Sequence, residues 1–141
     1  MENKSAFTFT KPELLAVLED LVKLEPIFHT SEFGTSAEDF EGRTAPGYWE
    51  VGASGRRYSR DFIISELRAR PPALATTLGW KTSDHAVSQL GAETYLLTYV
   101  LLQGRRLTRR ATIWERFCGV WRVRYHQGTE VSVKEDGTPS S

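Results

Sequence analysis

Residues 94–131 run TYLLTYVLLQGRRLTRRATIWERFCGVWRVRYHQGTEV. Three segments rich in β-branched and aromatic residues, Thr94 to Gln103, Leu107 to Arg116 and Val120 to Val131, are separated by Gly104-Arg105 and Cys118-Gly119. Two-residue connections of this kind join neighbouring antiparallel strands, so the stretch reads as a meander. A turn at Gly104-Arg105 pairs Gln103 with Arg106, and hence Tyr99 with Arg110, Leu97 with Thr112 and Tyr95 with Trp114. The second turn extends the ladder, pairing Trp114 with Val123, Thr112 with Tyr125 and Arg110 with Gln127. One face then carries Tyr95, Leu97, Tyr99, Leu101, Arg110, Thr112, Trp114, Trp121, Val123, Tyr125 and Gln127. The other carries Leu96, Thr98, Val100, Leu102, Ala111 and Ile113, then Glu115 opposite Arg122, then Arg124 and His126.

Large rings with a few hydrogen-bonding groups are what a small-molecule cavity uses, so the aromatic face is expected to meet the helices around a pocket. The aliphatic face then suits a partner subunit. Alternation alone does not say which face the helices cover, and the opposite assignment, with the aromatics in a dimer seam, competes with this one.

Upstream, Trp80 to Leu90 reads as a further strand, turning at Gly91-Ala92. Trp49, Val51 and Tyr58 flank a hairpin turn at Gly52-Ala-Ser-Gly55, which lacks the lysine and following helix of a phosphate loop. Three helices precede or interrupt these strands. Thr10-Lys11-Pro12-Glu13 fits a capping box, followed by a stripe of Leu14, Leu18, Leu21, Glu25 and Phe28 with Leu15 and Val22 beside it, broken near Leu24 to Pro26. Thr35-Ser36-Ala37-Glu38 repeats the capping pattern before a short helix with Phe40 and Arg43. Ser59 and Asp61 open a third helix burying Phe62, Ile63 and Leu67, stopped by Pro71-Pro72. Helices first and a meander last is an α+β order.

The 141 residues fit one domain, expected over 11–131 between a flexible stretch 1–10 and a disordered tail 132–141. Eighteen basic and eighteen acidic side chains cancel, which removes any net pull on nucleic acid or an anionic membrane. The charge is divided, however: residues 1–50 hold four basic and ten acidic groups, and the remainder is correspondingly basic. No run approaches a membrane span, and the N-terminus lacks a secretory pattern, so no membrane partner and a cytoplasmic location are expected. Cys118 is the sole cysteine and cannot form an intrachain disulfide.

The segments Trp49-Glu-Val-Gly-Ala-Ser-Gly55, Tyr95-Leu-Leu-Thr-Tyr99, Arg109-Arg-Ala-Thr-Ile-Trp114 and Trp121-Arg-Val-Arg-Tyr-His-Gln-Gly-Thr129, in this order of elements, resemble the NTF2-like superfamily, also called SnoaL-like or ketosteroid-isomerase-like. Within it the wording resembles the DUF4440 group of small bacterial proteins. The resemblance covers about residues 11–131 and implies a cone: N-terminal helices packed on a curved antiparallel sheet that encloses a pocket, commonly in a homodimer. Members include isomerases, cyclases, hydrolases and transport adaptors, so the resemblance speaks to fold more than to activity. The steroid isomerases of this fold use an aspartate base with a tyrosine and a protonated acid. The derived aromatic face has tyrosines and no carboxylate, and Asp84 is the nearest candidate on a strand. The epoxide hydrolases need Asp-Arg-Asp, of which Arg110 supplies at most the centre.

The expected function is binding of a small organic molecule, an anion where Arg110 clamps it bidentately. Trp49, Tyr99, Trp114 and Tyr125 form the walls, while Arg110, Thr112 and Gln127 orient the guest. An enzyme reading of the same cavity, for isomerisation, cyclisation or hydrolysis, uses Asp84 or His126 as proton carrier and Tyr99 as electrophilic partner. Against His126 stands its derived position, pointing away from the aromatic face. A third reading makes the domain a dimeric interaction module. His29, His85 and His126 lie in separate elements without metal-ligand spacing, and neither metal nor cofactor is expected. Arg105, Arg106, Arg109 and Arg110 read as a solvated hairpin, not a nucleic-acid surface. Cys118 has no activating context, so it is not expected to be a nucleophile.

Overall fold

The computed structural model describes residues 5–28, 35–69 and 80–132. Its helices are α1 (Ser5–Thr8), α2 (Leu15–Leu24), α3 (Ala37–Arg43) and α4 (Arg60–Ala69), with 3₁₀ turns at Pro12–Leu14 and Glu25–Phe28. The strands are β1 (Thr44–Val51), β2 (Arg57–Ser59), β3 (Lys81–Gly91), β4 (Thr94–Gln103), β5 (Arg106–Phe117) and β6 (Val120–Glu130). They form one curved, unclosed sheet in the order β2-β1-β6-β5-β4-β3, antiparallel except where β1 runs parallel to β6. The α+β order and the meander are as the sequence implies. None of the described helices is long and apolar enough to cross a membrane.

Local chemistry places the helices with small corrections. Thr10 does not cap: its hydroxyl takes the Val87 N–H at 3.0 Å, tying the chain to β3, and the following 3₁₀ turn begins at Pro12 without a side-chain cap. Pro12 lacks an N–H that would need a partner there. The helix stops where expected, since Pro26 cannot donate to the preceding turn, and the chain tightens into Glu25–Phe28. Ser36, one residue after the expected Thr35, caps α3 by accepting the Asp39 N–H at 3.1 Å. Ser59 caps α4 through the Phe62 N–H at 3.1 Å. Phe62 itself is exposed and Ile64 is buried in its place, while on α2 Val17 is buried and Leu15 is exposed. The proposed stop at Pro71-Pro72, His29 and residues 133–141 of the tail lie outside the described residues. Residues 5–8 of the N-terminal stretch form the single turn α1.

The helices cover the aromatic face. Leu14, Val17 and Leu21, Phe40, and Ile63, Ile64 and Leu67 form one core with Tyr48, Val87, Tyr95, Leu97, Tyr99, Leu101, Trp114 and Val123. Complete burial of aliphatic side chains such as Leu97 and Leu101 contributes about 1.5–3 kcal/mol each, before the entropy of ordering them. The β4–β5 register is the derived one throughout, from Gln103 with Arg106 to Tyr95 with Trp114. The β3–β4 turn falls at Ala92-Glu93, one residue later than Gly91-Ala92, because Gly91 still pairs with Thr94.

The β5–β6 ladder departs from the derived register at one place. Trp114 faces Val123 as expected, but Ile113 faces Tyr125, Thr112 faces His126 and Arg110 faces Gly128. Arg124 is the extra residue of a β-bulge, and a slip of one residue exchanges the two faces of everything beyond it. His126 therefore turns into the core, 2% exposed. Tyr125 and Gln127 turn to the outer face. The alternation Trp121, Val123, Tyr125 gives no hint of this, since it continues unbroken through the bulge.

Candidate functional site

The bulge and the break after α2 together assemble a buried polar cluster. Glu25 opens the 3₁₀ turn at the position one helical turn beyond Leu21, so the apolar stripe carries its carboxylate inward. There it accepts from the Tyr99 hydroxyl at 2.7 Å, the Thr112 hydroxyl at 2.6 Å and the Trp114 indole N–H at 2.9 Å. Glu25, Thr112, Trp114, Tyr99 and His126 are all buried. Burial pushes the Glu25 carboxyl up from 4.5 to about 7, against the three donors and the charge of Arg110, which hold it down. The Tyr99 hydroxyl is raised well above its ordinary value by burial and by the neighbouring carboxylate, which keeps it a donor.

The hydrogen bonds also fix the histidine. Thr112 has one hydroxyl proton, and with that proton on Glu25 its oxygen is an acceptor for His126 Nδ1, 2.8 Å away. Nδ1 then carries the ring proton and Nε2 the lone pair. Arg110 stands on that side, its guanidinium 3.4 Å from Nε2, with Nε donating to Thr108 at 2.9 Å. Phe28 stacks flat on the imidazole, ring centres 4.2 Å apart.

His126 and Arg110 form part of the floor of a cavity of about 560 Å³ between helices and sheet. Glu50 of β1, paired with His126 in the parallel ladder and accepting from Tyr48, completes that floor. Ile27, Phe28, Phe40, Ile63, Tyr58 and Trp80 line it, and Gly52, Ala53 and Ser54 of the turn Gly52-Ala-Ser-Gly55, with Arg56, Gln103 and Arg106, bound it. That turn closes as a turn should, the Gly55 N–H on the Gly52 carbonyl at 2.8 Å. Two rim arginines have partners: Arg56 lies over Tyr58 and Phe62, and Arg106 meets Glu130 at 3.7 Å. Arg110 differs. Among the described residues no carboxylate lies within ion-pair distance of it, and burial lowers its pKa while the nearby phenol and carboxylates act the other way. Gly128 gives it room: a Cβ there would lie 3.2 Å from the guanidinium carbon.

Of the residues expected at the site, Tyr99, Arg110, Thr112 and Trp114 lie on the inner face, but only Arg110 lines this cavity. Tyr99, Thr112 and Trp114 are buried beneath it as donors to Glu25, not walls. Trp49, Tyr125 and Gln127 are on the outer face, with the Trp49 and Tyr125 rings 4.8 Å apart. Asp84 sits in a bulge of β3 at a φ of 56° and does not line the cavity; it borders a second hollow together with Phe7, Thr8, Gln127, Tyr99 and Arg110, so Arg110 lines both. His85, next to Asp84, stacks on Tyr99. The derived aromatic face of β4–β6 carries no carboxylate at the site; Glu25 of the 3₁₀ turn and Glu50 of β1 bring two to it from other elements. Glu25 is the residue sequence reasoning most needed, and its signal was a lone carboxylate on the apolar stripe ahead of Pro26.

No protein-family model matches the chain, and no curated protein matches it. Solved structures do. A protein of unknown function of the DUF3225 family from Pectobacterium atrosepticum is 16% identical, with a TM-score of 0.63 over 86% of this chain and 94% of that one. An NTF2-like protein of unknown function from Silicibacter pomeroyi is 20% identical, with a TM-score of 0.59 over 87% of this chain and all of that one. A cystatin-like fold protein from Burkholderia xenovorans is 14% identical, with a TM-score of 0.63 over 86% and 94%. The chain has the NTF2-like fold. At these identities the likeness is one of fold alone.

Proposed function

We propose that this NTF2-like chain binds a small organic anion in the cavity between its helices and the concave face of the sheet. The observation that carries the reading is Arg110: a half-buried guanidinium on a cavity floor, with no carboxylate at ion-pair distance among the described residues. A desolvated cation gains most from an anion that enters beside it, and a guanidinium suits a carboxylate bidentately. Phe28, Phe40 and Ile63 offer the apolar part of such a ligand its contact surface. The test is isothermal titration with a series of alkyl and aryl carboxylates and their uncharged amides. Carboxylates should bind, amides should not, and Arg110→Gln should remove the preference; equal binding of both, or of neither, overturns the reading.

Three finer expectations stand beside it as proposals. The DUF4440 likeness rests on the quoted strand segments. A second copy on the outer face is supported by the half-buried Leu96, Val100, Ile113 and Tyr125 and the exposed Trp49. A cytoplasmic location is supported by the single, exposed Cys118.

A further inference from the structure

Glu25, Thr112 and His126 form an unbroken hydrogen-bonded line from a buried carboxylate to the floor of the cavity. Its proton positions come in two sets. In one, Glu25 is ionised, Thr112 donates to it, His126 donates from Nδ1, and Nε2 holds a lone pair. If a proton arrives at Nε2, the Nδ1 proton can pass to Thr112 and the threonine proton to Glu25. The imidazole is then neutral with its proton on Nε2, and the carboxyl is neutral as well. The added charge is not left on the buried ring but cancels that of Glu25, so the uptake avoids stranding a buried imidazolium. Tyr99 and Trp114 hold the carboxylate in place for this exchange.

We propose that His126 Nε2 is a general base and acid, and that the chain tautomerises small 2-oxo carboxylates bound at Arg110, an inference that rests on the anion-binding reading. Arg110 sits beside Nε2, so a 2-oxo carboxylate held by the guanidinium through its carboxylate and ketone oxygens brings the C–H carbon beyond the ketone within reach of the imidazole. A ligand oxygen is a better acceptor for the Arg110 N–H than a ring nitrogen 3.4 Å away, and its arrival turns that N–H to the ligand. The C–H bond next to the ketone breaks and the N–H bond at Nε2 forms. The electron pair moves to the ketone oxygen, where the guanidinium meets the developing charge. The same proton then returns to that oxygen, giving the enol, or the sequence runs in reverse. Nothing is oxidised or reduced. His126 is the catalytic residue, whereas Thr112 and Glu25 act through it and are positioning residues.

The test uses the full chain and phenylpyruvate, following decay of enol absorbance alongside calorimetric binding. The expected result is an accelerated ketonisation that His126→Gln slows about 10²–10⁴-fold, the usual reach of a positioned acid–base group, with affinity kept. Thr112→Val should slow it at least tenfold and Thr112→Ser should restore it, which a purely structural threonine would not do. Should Thr112→Val fail to fold, the His126→Gln comparison decides. Binding without acceleration, or acceleration that survives His126→Gln, overturns the catalytic inference and leaves anion binding standing. Absence of binding overturns both.

Discussion

Replacing Glu25 with glutamine changes the pH dependence of stability in a way that no surface carboxylate would. The Glu25 carboxyl titrates near 4.5 when unfolded and near 7 when folded. Between those values the folded chain binds the additional proton, so stability falls as pH rises. The contribution is fully present below about pH 4.5 and lost by about pH 7, and 2.5 pH units correspond to about 3 kcal/mol. His85, whose pKa burial lowers, acts in the opposite sense, because its unfolded form takes up the proton as pH falls. Subtracting the Glu25→Gln curve from the wild-type curve removes the His85 effect. Urea unfolding followed by tryptophan fluorescence from pH 4.5 to 8.5 gives both curves, with buried Trp114 as a reporter. The wild type should lose about 3 kcal/mol relative to the variant over this range. Parallel curves would refute the reasoning, showing that the carboxyl titrates as an ordinary one.

Other perturbations probe the elements that build the site. Gly128→Ala puts a methyl group 3.2 Å from the Arg110 guanidinium, which must shift to make room, so carboxylate binding measured by calorimetry should weaken. Deleting Arg124, the extra residue, leaves Tyr125 opposite Ile113 and His126 opposite Thr112, so His126 should stay inward and carboxylate binding by calorimetry should be retained; loss of binding would show that the bulge itself shapes the site. Leu97→Ala empties a fully buried position and should cost about 2–5 kcal/mol in urea unfolding. Val100→Glu should shift sedimentation towards the monomer, and an unchanged coefficient would remove the outer face as a dimer surface.

The register of β4 with β5 was legible because turn chemistry at Gly104-Arg105 and the alternation of Leu97, Tyr99 and Leu101 agree. The break after α2 was legible because Pro26 admits no alternative. The bulge at Arg124 was not, since apolar alternation continues across it. That single residue moved Tyr125 and Gln127 out of the expected site and brought His126 in. Glu25 was visible as a carboxylate on an apolar face, yet its partners Tyr99, Thr112 and Trp114 lie 74 or more residues away in sequence. The expected Thr10 cap missed for a simpler reason, a long-range partner in Val87 that local pattern does not reveal, whereas the Ser59 cap is as expected.

The central claim is that an anion enters the cavity against Arg110 and His126. Two-bond ¹H–¹⁵N correlation of the histidine rings, recorded with the arginine Nε–H signals during titration with phenylpyruvate, reads both residues at once. The account predicts a His126 ring protonated on Nδ1 with a free-base Nε2 before ligand, and saturable shifts of His126 Nε2 and Arg110 Nε on its addition. A ring protonated on Nε2 from the start, or signals of both residues that stay still while ligand binds, would contradict it.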